Sequence, residues 1–282
     1  MKKLTNTILH GAANRRFALD VIYTENNTPK PVVIFAHGFK GFKDWGHWEA
    51  IGEAFAKAGF MFVKFNFSHN GVSPEKPLDF VDLEAFGQNN YMKEIVDFGV
   101  LMDWLFEQKD IPETEIDLSR ITAIGHSRGG PIAILKGLRD ARITSVITWA
   151  SVHQLDYWHN DDLIEKWRED GVWYILNGRT KQQMPLYFQL YENMMENKDW
   201  LDVKTALAQL DKPLLILHGD ADPAISVFAA EQLHSWKEDA EIYIIEGANH
   251  VFGGSHPFQE KQLPKHSQIL VKKCIDFLLE NN

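Results

Sequence analysis

The chain has 282 residues, 45% of them hydrophobic and 24% charged, which excludes a disordered or membrane-embedded protein and leaves room for a sizeable core. Lys and Arg total 29 against 39 Asp and Glu, a formal net charge of -10, so the summed field disfavours nucleic acid and anionic lipid surfaces as partners. The single cysteine, Cys274, excludes an internal disulfide.

The opening MKKLTNTILHGAANRR is basic but lacks an apolar stretch of signal-peptide length, and no segment reaches about 18 uninterrupted apolar residues. A reducing cytoplasm is the expected compartment. RRFALDVIYTE, joined to PVVIFA through NNTPKP, predicts an antiparallel hairpin at a sheet edge. PVVIFAHGF (31–39) is a dense strand followed by a glycine-containing turn. Trp48 to Lys57 predicts a helix, closed by Gly59 at a left-handed cap. FMFVKFNF (60–67) predicts the next strand.

From Asp82 to Lys109, the residues Tyr91, Ile95, Phe98, Met102 and Leu105 recur at steps of four and three, which draws one buried stripe along a helix. ITAIGHS (121–127), ITSVITWAS (143–151), PLLILHGDAD (213–222) and EIYIIEG (241–247) read as further strands. Helices are expected at Ser226 to Lys237 and Lys265 to Glu280, with Cys274 buried beside Leu270, Phe277 and Leu278. Continuous apolar runs fit strands covered on both faces. Their alternation with helices predicts an α/β fold with a right-handed, mostly parallel central sheet flanked by helices.

Residues 152–210 break this rhythm. They are rich in aromatics (Tyr157, Trp158, Trp167, Trp173, Tyr174, Tyr187, Phe188, Tyr191 and Trp200), and Asn177-Gly178 between strand-like runs signals a hairpin. The expected organisation is a core built from 1–151 and 211–282 with a small cap inserted at 152–210. About half the aromatics are expected to build a satellite core. The rest, together with Phe39, Trp45 and Trp48, are expected to line an apolar substrate pocket, with Trp45, Trp158 and Trp173 as candidates.

Gly125-His126-Ser127-Arg128-Gly129 matches G-x-S-x-G between a predicted strand and a predicted helix, a turn that exposes a serine hydroxyl above a sheet. Pro131 suits the first helical turn, where a missing N–H costs nothing. A serine hydroxyl needs a base to take its proton, and the base needs a third group to hold its tautomer. His250, in the glycine-rich loop after EIYIIEG, supplies the base, and Asp222, just past PLLILHG, supplies the acid, with Asp220 as its neighbouring competitor. The chain order Ser, Asp, His is the one this arrangement uses on an α/β sheet.

Over nearly its whole length the chain resembles the α/β-hydrolase superfamily, with Gly125 to Gly130, His218 to Asp222 and Asn249-His250 carrying the match. The segment HGFKGFKDW further resembles the oxyanion loop of feruloyl- or cinnamoyl-type esterases. The resemblance implies that the HGxxD spacing selects Asp222 over Asp220, and that the backbone N–H groups of Phe39 and Arg128 bind a developing oxyanion. Phe39 is expected to line the acyl pocket, and the Arg128 side chain reads as the solvated start of a helix. His37 and His218 are expected to orient turns, His69 and His126 to be structural, and His256 to lie past the sheet's edge.

The expected activity is therefore that of a serine esterase acting on small or aromatic-acyl carboxylic esters. An exopeptidase or amidase is the alternative, because amide and ester cleavage share a tetrahedral oxyanion. A cluster recognising a free amine would favour it, and Asp161, Asp162, Glu165, Glu169 and Asp170 are available, though such a run is ordinarily a solvated helix face. A non-catalytic binding protein on the same scaffold would be expected to lack one of the three residues. No cofactor is expected, and the absence of HExxH and of paired cysteines argues against a metal. The expected partner is a small-molecule ester, with the chain a monomer or homodimer.

Overall fold

The apolar runs become strands buried on both faces. In a computed structural model, which describes residues 1–281, Val32 to Ala36 of one such strand are wholly excluded from solvent. Because successive side chains point to opposite faces, this strand feeds two cores. Val32, Ile34 and Ala36 join one cluster, and Val33 and Phe35 join the other.

The strands are β1 (Lys2–His10), β2 (Arg16–Tyr23), β3 (Lys30–Ala36), β4 (Met61–Phe65), β5 (Ile116–His126), β6 (Ser145–Trp149), β7 (Val172–Leu176), β8 (Gln183–Tyr187), β9 (Leu214–Gly219) and β10 (Glu241–Ile245). Eight form one sheet in the order β1-β2-β4-β3-β5-β6-β9-β10. From β4 to β10 all neighbours are parallel, while β1 and β2 run antiparallel at one edge. The helices are α1 (Trp48–Lys57), α2 (Leu83–Gly87), α3 (Tyr91–Glu107), α4 (Gly129–Arg139), α5 (Asp161–Asp170), α6 (Gln189–Glu196), α7 (Val203–Gln209), α8 (Phe228–Trp236) and α9 (Lys265–Asn281). α1 and α9 cover one face of the sheet through Ile51, Phe55, Leu270, Cys274 and Phe277. α3, α4, α7 and α8 cover the other. Among the described residues no helix is long and apolar enough to cross a membrane.

Three details differ from the sequence expectation. β2 does not pair with β3, because both edges of β3 are taken by β4 and β5. It pairs instead with β4, Leu19 opposite Phe65, and on its outer side with β1. The polar β1, with Lys2 and Lys3 exposed, is an edge strand of the kind that blunts further pairing. The helix expected over Asp82 to Lys109 is two helices, because the Asn90 side chain caps α3 by accepting the Lys93 N–H at 3.0 Å. The predicted stripe of Tyr91, Ile95, Phe98, Met102 and Leu105 is buried along α3.

Between β6 and β9 the chain leaves the sheet to build α5, the antiparallel β7–β8 hairpin, α6 and α7. No separate satellite core forms there. Trp167, Met184, Leu186 and Phe188 belong to the same cluster as Val32 and Phe98, since this segment packs directly onto α2 and α3.

Candidate functional site

Ser127 sits in the turn between β5 and α4 with φ 55°, a left-handed conformation that costs a non-glycine residue about 1–3 kcal/mol and persists only where the surroundings enforce it. They do so through hydrogen bonds. The Ser127 N–H donates to the Trp149 carbonyl at 2.9 Å, and the Ser127 carbonyl accepts from the Gly130 N–H at 3.0 Å. Two glycines make room. A Cβ on Gly125 would collide with the Gly129 carbonyl, and one on Gly38 would stand 2.7 Å from the Ser127 Cβ.

Asp222 follows β9 with its side chain fully buried. Its Oδ1 accepts from the N–H groups of Ala224 at 2.7 Å and Ile225 at 3.0 Å, and its Oδ2 accepts from His250 Nδ1 at 2.7 Å. His218 Nε2 lies 3.4 Å from the same Oδ2 and donates to the Ile225 carbonyl at 2.9 Å. Burial alone would raise the Asp222 carboxyl, but the hydrogen bonds from His218, His250 and the Ile225 N–H outweigh it and hold the group well below the usual carboxylate range. An ionised Asp222 fixes the His250 tautomer with the proton on Nδ1, leaving Nε2 free to accept. Asp220 takes another role, accepting the Gly247 N–H at 2.6 Å and so tying the β9 loop to the β10 loop.

Ser127 and His250 line one cavity of about 230 Å³. His126 steadies the arrangement: its Nε2 donates to the His250 carbonyl at 2.8 Å, and burial pushes its pKa down to about 3, so the ring is neutral. His37 is likewise held neutral, at about 4 by burial, and its Nδ1 donates to the Gly38 carbonyl at 2.9 Å. His69 is hydrogen-bonded to Ser68 Oγ at 2.8 Å. His256 packs on Phe42 and Trp45 and accepts the Gly46 N–H at 2.8 Å.

Among the described residues the backbone N–H groups of Phe39 and Arg128 have no hydrogen-bond acceptor. The loop that carries Phe39 is anchored by a charge cluster that the motif did not reveal. Lys43 Nζ binds Asp20 at 2.6 Å and Asp44 at 2.7 Å, while Lys64 Nζ binds the same two carboxylates at 2.8 and 2.5 Å and Glu49 at 2.9 Å. The available signal was a charge inside each buried strand, Asp20 in FALDVIY and Lys64 in FMFVKFNF.

The Arg128 side chain corrects the expectation of a solvated helix start. It pairs with Glu94 of α3, and its guanidinium stacks 4.6 Å from the Phe39 ring centre and 5.7 Å from that of Tyr91. It also lines a second cavity of about 300 Å³, which meets the first at Ser127 and Phe39 and is walled by Tyr91, Val152, Trp158, Leu186 and Leu190. Of the three tryptophans expected to line a pocket, Trp45 lines the first cavity and Trp158 the second. Trp173 lines neither, although β7 sets it opposite Leu186, which lines the second. The acidic residues of α5 are exposed and line neither cavity.

Residues 33–260, the span that holds Ser127, Asp222 and His250, match the sequence model of the Alpha/beta hydrolase family. The chain belongs to this family. Another protein to which this α/β hydrolase is similar is the one named "Putative esterase/lipase 2" of Mycoplasma pneumoniae, 25% identical over 242 residues, which cover 77% of this chain and 81% of that protein. Among solved structures, Est1E from Butyrivibrio proteoclasticus superposes with a TM-score of 0.69 at 16% identity, covering 100% of this chain and 99% of its own. With ferulic acid bound, Est1E gives 0.71 at 17% identity and 98% coverage of both chains. The esterase domain of a Rhodothermus marinus protein gives 0.65 at 15%, again covering 98% of each chain. At such identities the likeness to these structures is one of fold.

Proposed function

We propose that this α/β hydrolase cleaves carboxylic esters through an acyl-enzyme on Ser127. The observation that carries the reading is the shared cavity of Ser127 and His250, with His250 Nδ1 held 2.7 Å from the buried Asp222 carboxylate. His250 Nε2 takes the hydroxyl proton as Ser127 Oγ bonds to the ester carbonyl carbon. The carbonyl electron pair moves onto oxygen, where the Phe39 and Arg128 N–H groups receive it; one such donor is worth about 2.7–4 kcal/mol in the transition state. The tetrahedral state collapses as the bond to the alcohol oxygen breaks and His250 delivers its proton there. Water then attacks the acyl carbon with His250 again as base, the bond to Ser127 Oγ breaks as His250 returns the proton to that oxygen, and the acid leaves. Asp222 orients His250 and stabilises its charged form.

In the same reading residues 152–210 act as a cap, supplying Trp158, Leu186 and Leu190 to the apolar cavity, which suits a small or aromatic acyl group. A cytoplasmic location is also proposed, on the ground that the lone thiol, Cys274, is buried 3.3 Å from the Trp149 indole nitrogen and serves packing. Ser127→Ala is expected to abolish hydrolysis of p-nitrophenyl acetate while leaving the circular dichroism spectrum unchanged. Retained turnover in a folded variant would remove Ser127 from the mechanism.

A further inference from the structure

The two cavities that meet at Ser127 differ in chemistry. One is apolar, while the other carries Lys40, Asn177 and Arg179 and no carboxylate among its lining residues. Among the described residues neither Lys40 nor Arg179 has a carboxylate within ion-pair distance. Each is held in place by other means. Lys40 Nζ lies 5.5 Å from the Phe39 ring centre, and the Arg179 guanidinium lies 5.7 and 6.0 Å from the rings of Phe42 and Phe80.

Asn177 is 5% exposed, and its Oδ1 is occupied by the N–H groups of Arg179 at 3.0 Å and Thr180 at 3.3 Å. That fixes the side chain so that its amide N–H₂, which has no acceptor among the described residues, is left for the cavity it lines. The amide opens onto the cavity rather than being sealed from it, so a ligand oxygen can accept from it directly. The imidazoles of His37 and His126 in the same wall are neutral, so the positive charge there comes from Lys40 and Arg179. The wall therefore offers donors and positive charge.

We infer that this cavity recognises an anionic oxygen group, a carboxylate or a phosphate, on the alcohol portion of the ester. The assignment to the alcohol rests on the esterase reading, since His250 must protonate the leaving oxygen and His250 lines this cavity but not the apolar one. The acyl group then occupies the apolar side. The overall charge of -10 does not oppose this, because at physiological salt the Debye length is about 8 Å and exposed distant carboxylates are screened from the site.

The test compares three aryl butyrates that differ only in the para group of the leaving phenol: 4-(butyryloxy)benzoate, 4-(butyryloxy)phenyl phosphate and the neutral 4-carbamoylphenyl butyrate. In parallel, Ser127→Ala protein is titrated with 4-hydroxybenzoate, phenyl phosphate and 4-hydroxybenzamide, using the fluorescence of Trp45 and Trp48 in the cavity wall. At least one anionic ester should exceed the neutral one in kcat/KM by about tenfold, the value of one charge-assisted hydrogen bond, and which anion does so separates carboxylate from phosphate recognition. The corresponding ligand should bind more tightly by a similar factor, less so as salt is raised. Combining Lys40→Gln with Arg179→Gln should bring both ratios close to one. Hydrolysis of all three esters without discrimination, and equal binding of anionic and neutral ligands, would overturn the inference and leave the esterase reading standing. Selective anion binding without turnover of any ester would do the reverse, supporting the anion site and overturning the esterase reading.

Discussion

Gly38→Ala isolates the oxyanion donor from the three polar side chains. A Cβ at this position would lie 2.7 Å from the Ser127 Cβ, 3.1 Å from the His126 carbonyl and 3.3 Å from Ser127 Oγ, where ordinary contacts begin at 3.4 Å. Ser127 cannot retreat, because its N–H and carbonyl are both engaged at 2.9 and 3.0 Å. The loop of residues 37–41 must yield instead, by about 0.7 Å at the closest contact, and Phe39 is the next residue along it. A useful donor distance spans only about 2.7–3.1 Å, so a shift of that size removes the Phe39 N–H from the developing oxyanion. The expected loss is about 10²–10³ in kcat, with KM nearly unchanged because the donor acts in the transition state. Steady-state kinetics on p-nitrophenyl acetate measure both quantities, and thermal melting checks the fold, which should lose about 1–3 kcal/mol to overpacking. Gly99→Ala is the control: on α3 its Cβ meets only Lys136 Nζ at 3.6 Å, and activity should not change. A folded Gly38→Ala enzyme with kcat close to that of the parent chain would refute the placement of the donor at Phe39.

Lys64→Met should lower the thermal midpoint by roughly 10 °C, since removing one partner of a buried pair costs about 3–5 kcal/mol and here strands Asp20 with Lys43 alone; a melting curve that coincides with the parent's would show that the cluster is dispensable. Asp97 is fully buried and accepts the N–H groups of Ala12 and Ser68, each at 2.7 Å, yet burial wins over these bonds and pushes its pKa up to about 6. With the folded value above the ordinary one near 3.9, the native state binds the extra proton, so stability falls as pH rises from about 4 to 6. Asp97→Asn should flatten that slope in urea titrations run across this window, and an unchanged slope would assign it to other groups.

The sequence is most informative where local geometry dictates the residue type. Ser127 between Gly125 and Gly129 is legible because a strand-to-helix turn at φ 55° leaves no room for side chains beside it. The Gly59 cap after α1 is legible for a different reason: nothing crowds it, but at φ 92° a side chain would strain the backbone. Pairing partners are another matter. Nothing within RFALDVIY says that β4 rather than β3 is its neighbour, since that choice depends on which strands already occupy both edges of β3. β1 escaped notice because an edge strand faces water and lacks an apolar run. Trp173 and Trp158 are both aromatic residues of the inserted segment, and which of them reaches a cavity depends on how that segment packs onto α2 and α3, which no local pattern states.

Arg128 shows how a physical rule could have replaced the missing contact. Its partner Glu94 lies 34 residues earlier on another helix, beyond the reach of any local pattern. The position itself carried a signal, however: a residue directly after a serine exposed at a pocket floor has its side chain surrounded by the pocket's own walls. A charge in that setting must be paired or stacked, because an isolated buried charge is too costly to keep. Arg128 is both paired, with Glu94, and stacked, on Phe39. Phe39 and Arg128, the two proposed oxyanion donors, therefore have side chains in contact with each other, so in that proposal their spacing is held from the side-chain end as well as by the turn and the loop. Burial raises the Glu94 carboxyl, against the pull of Arg128, which means that the contact is held at some electrostatic cost. A cost of that kind is expected where geometry near a reacting atom outweighs stability.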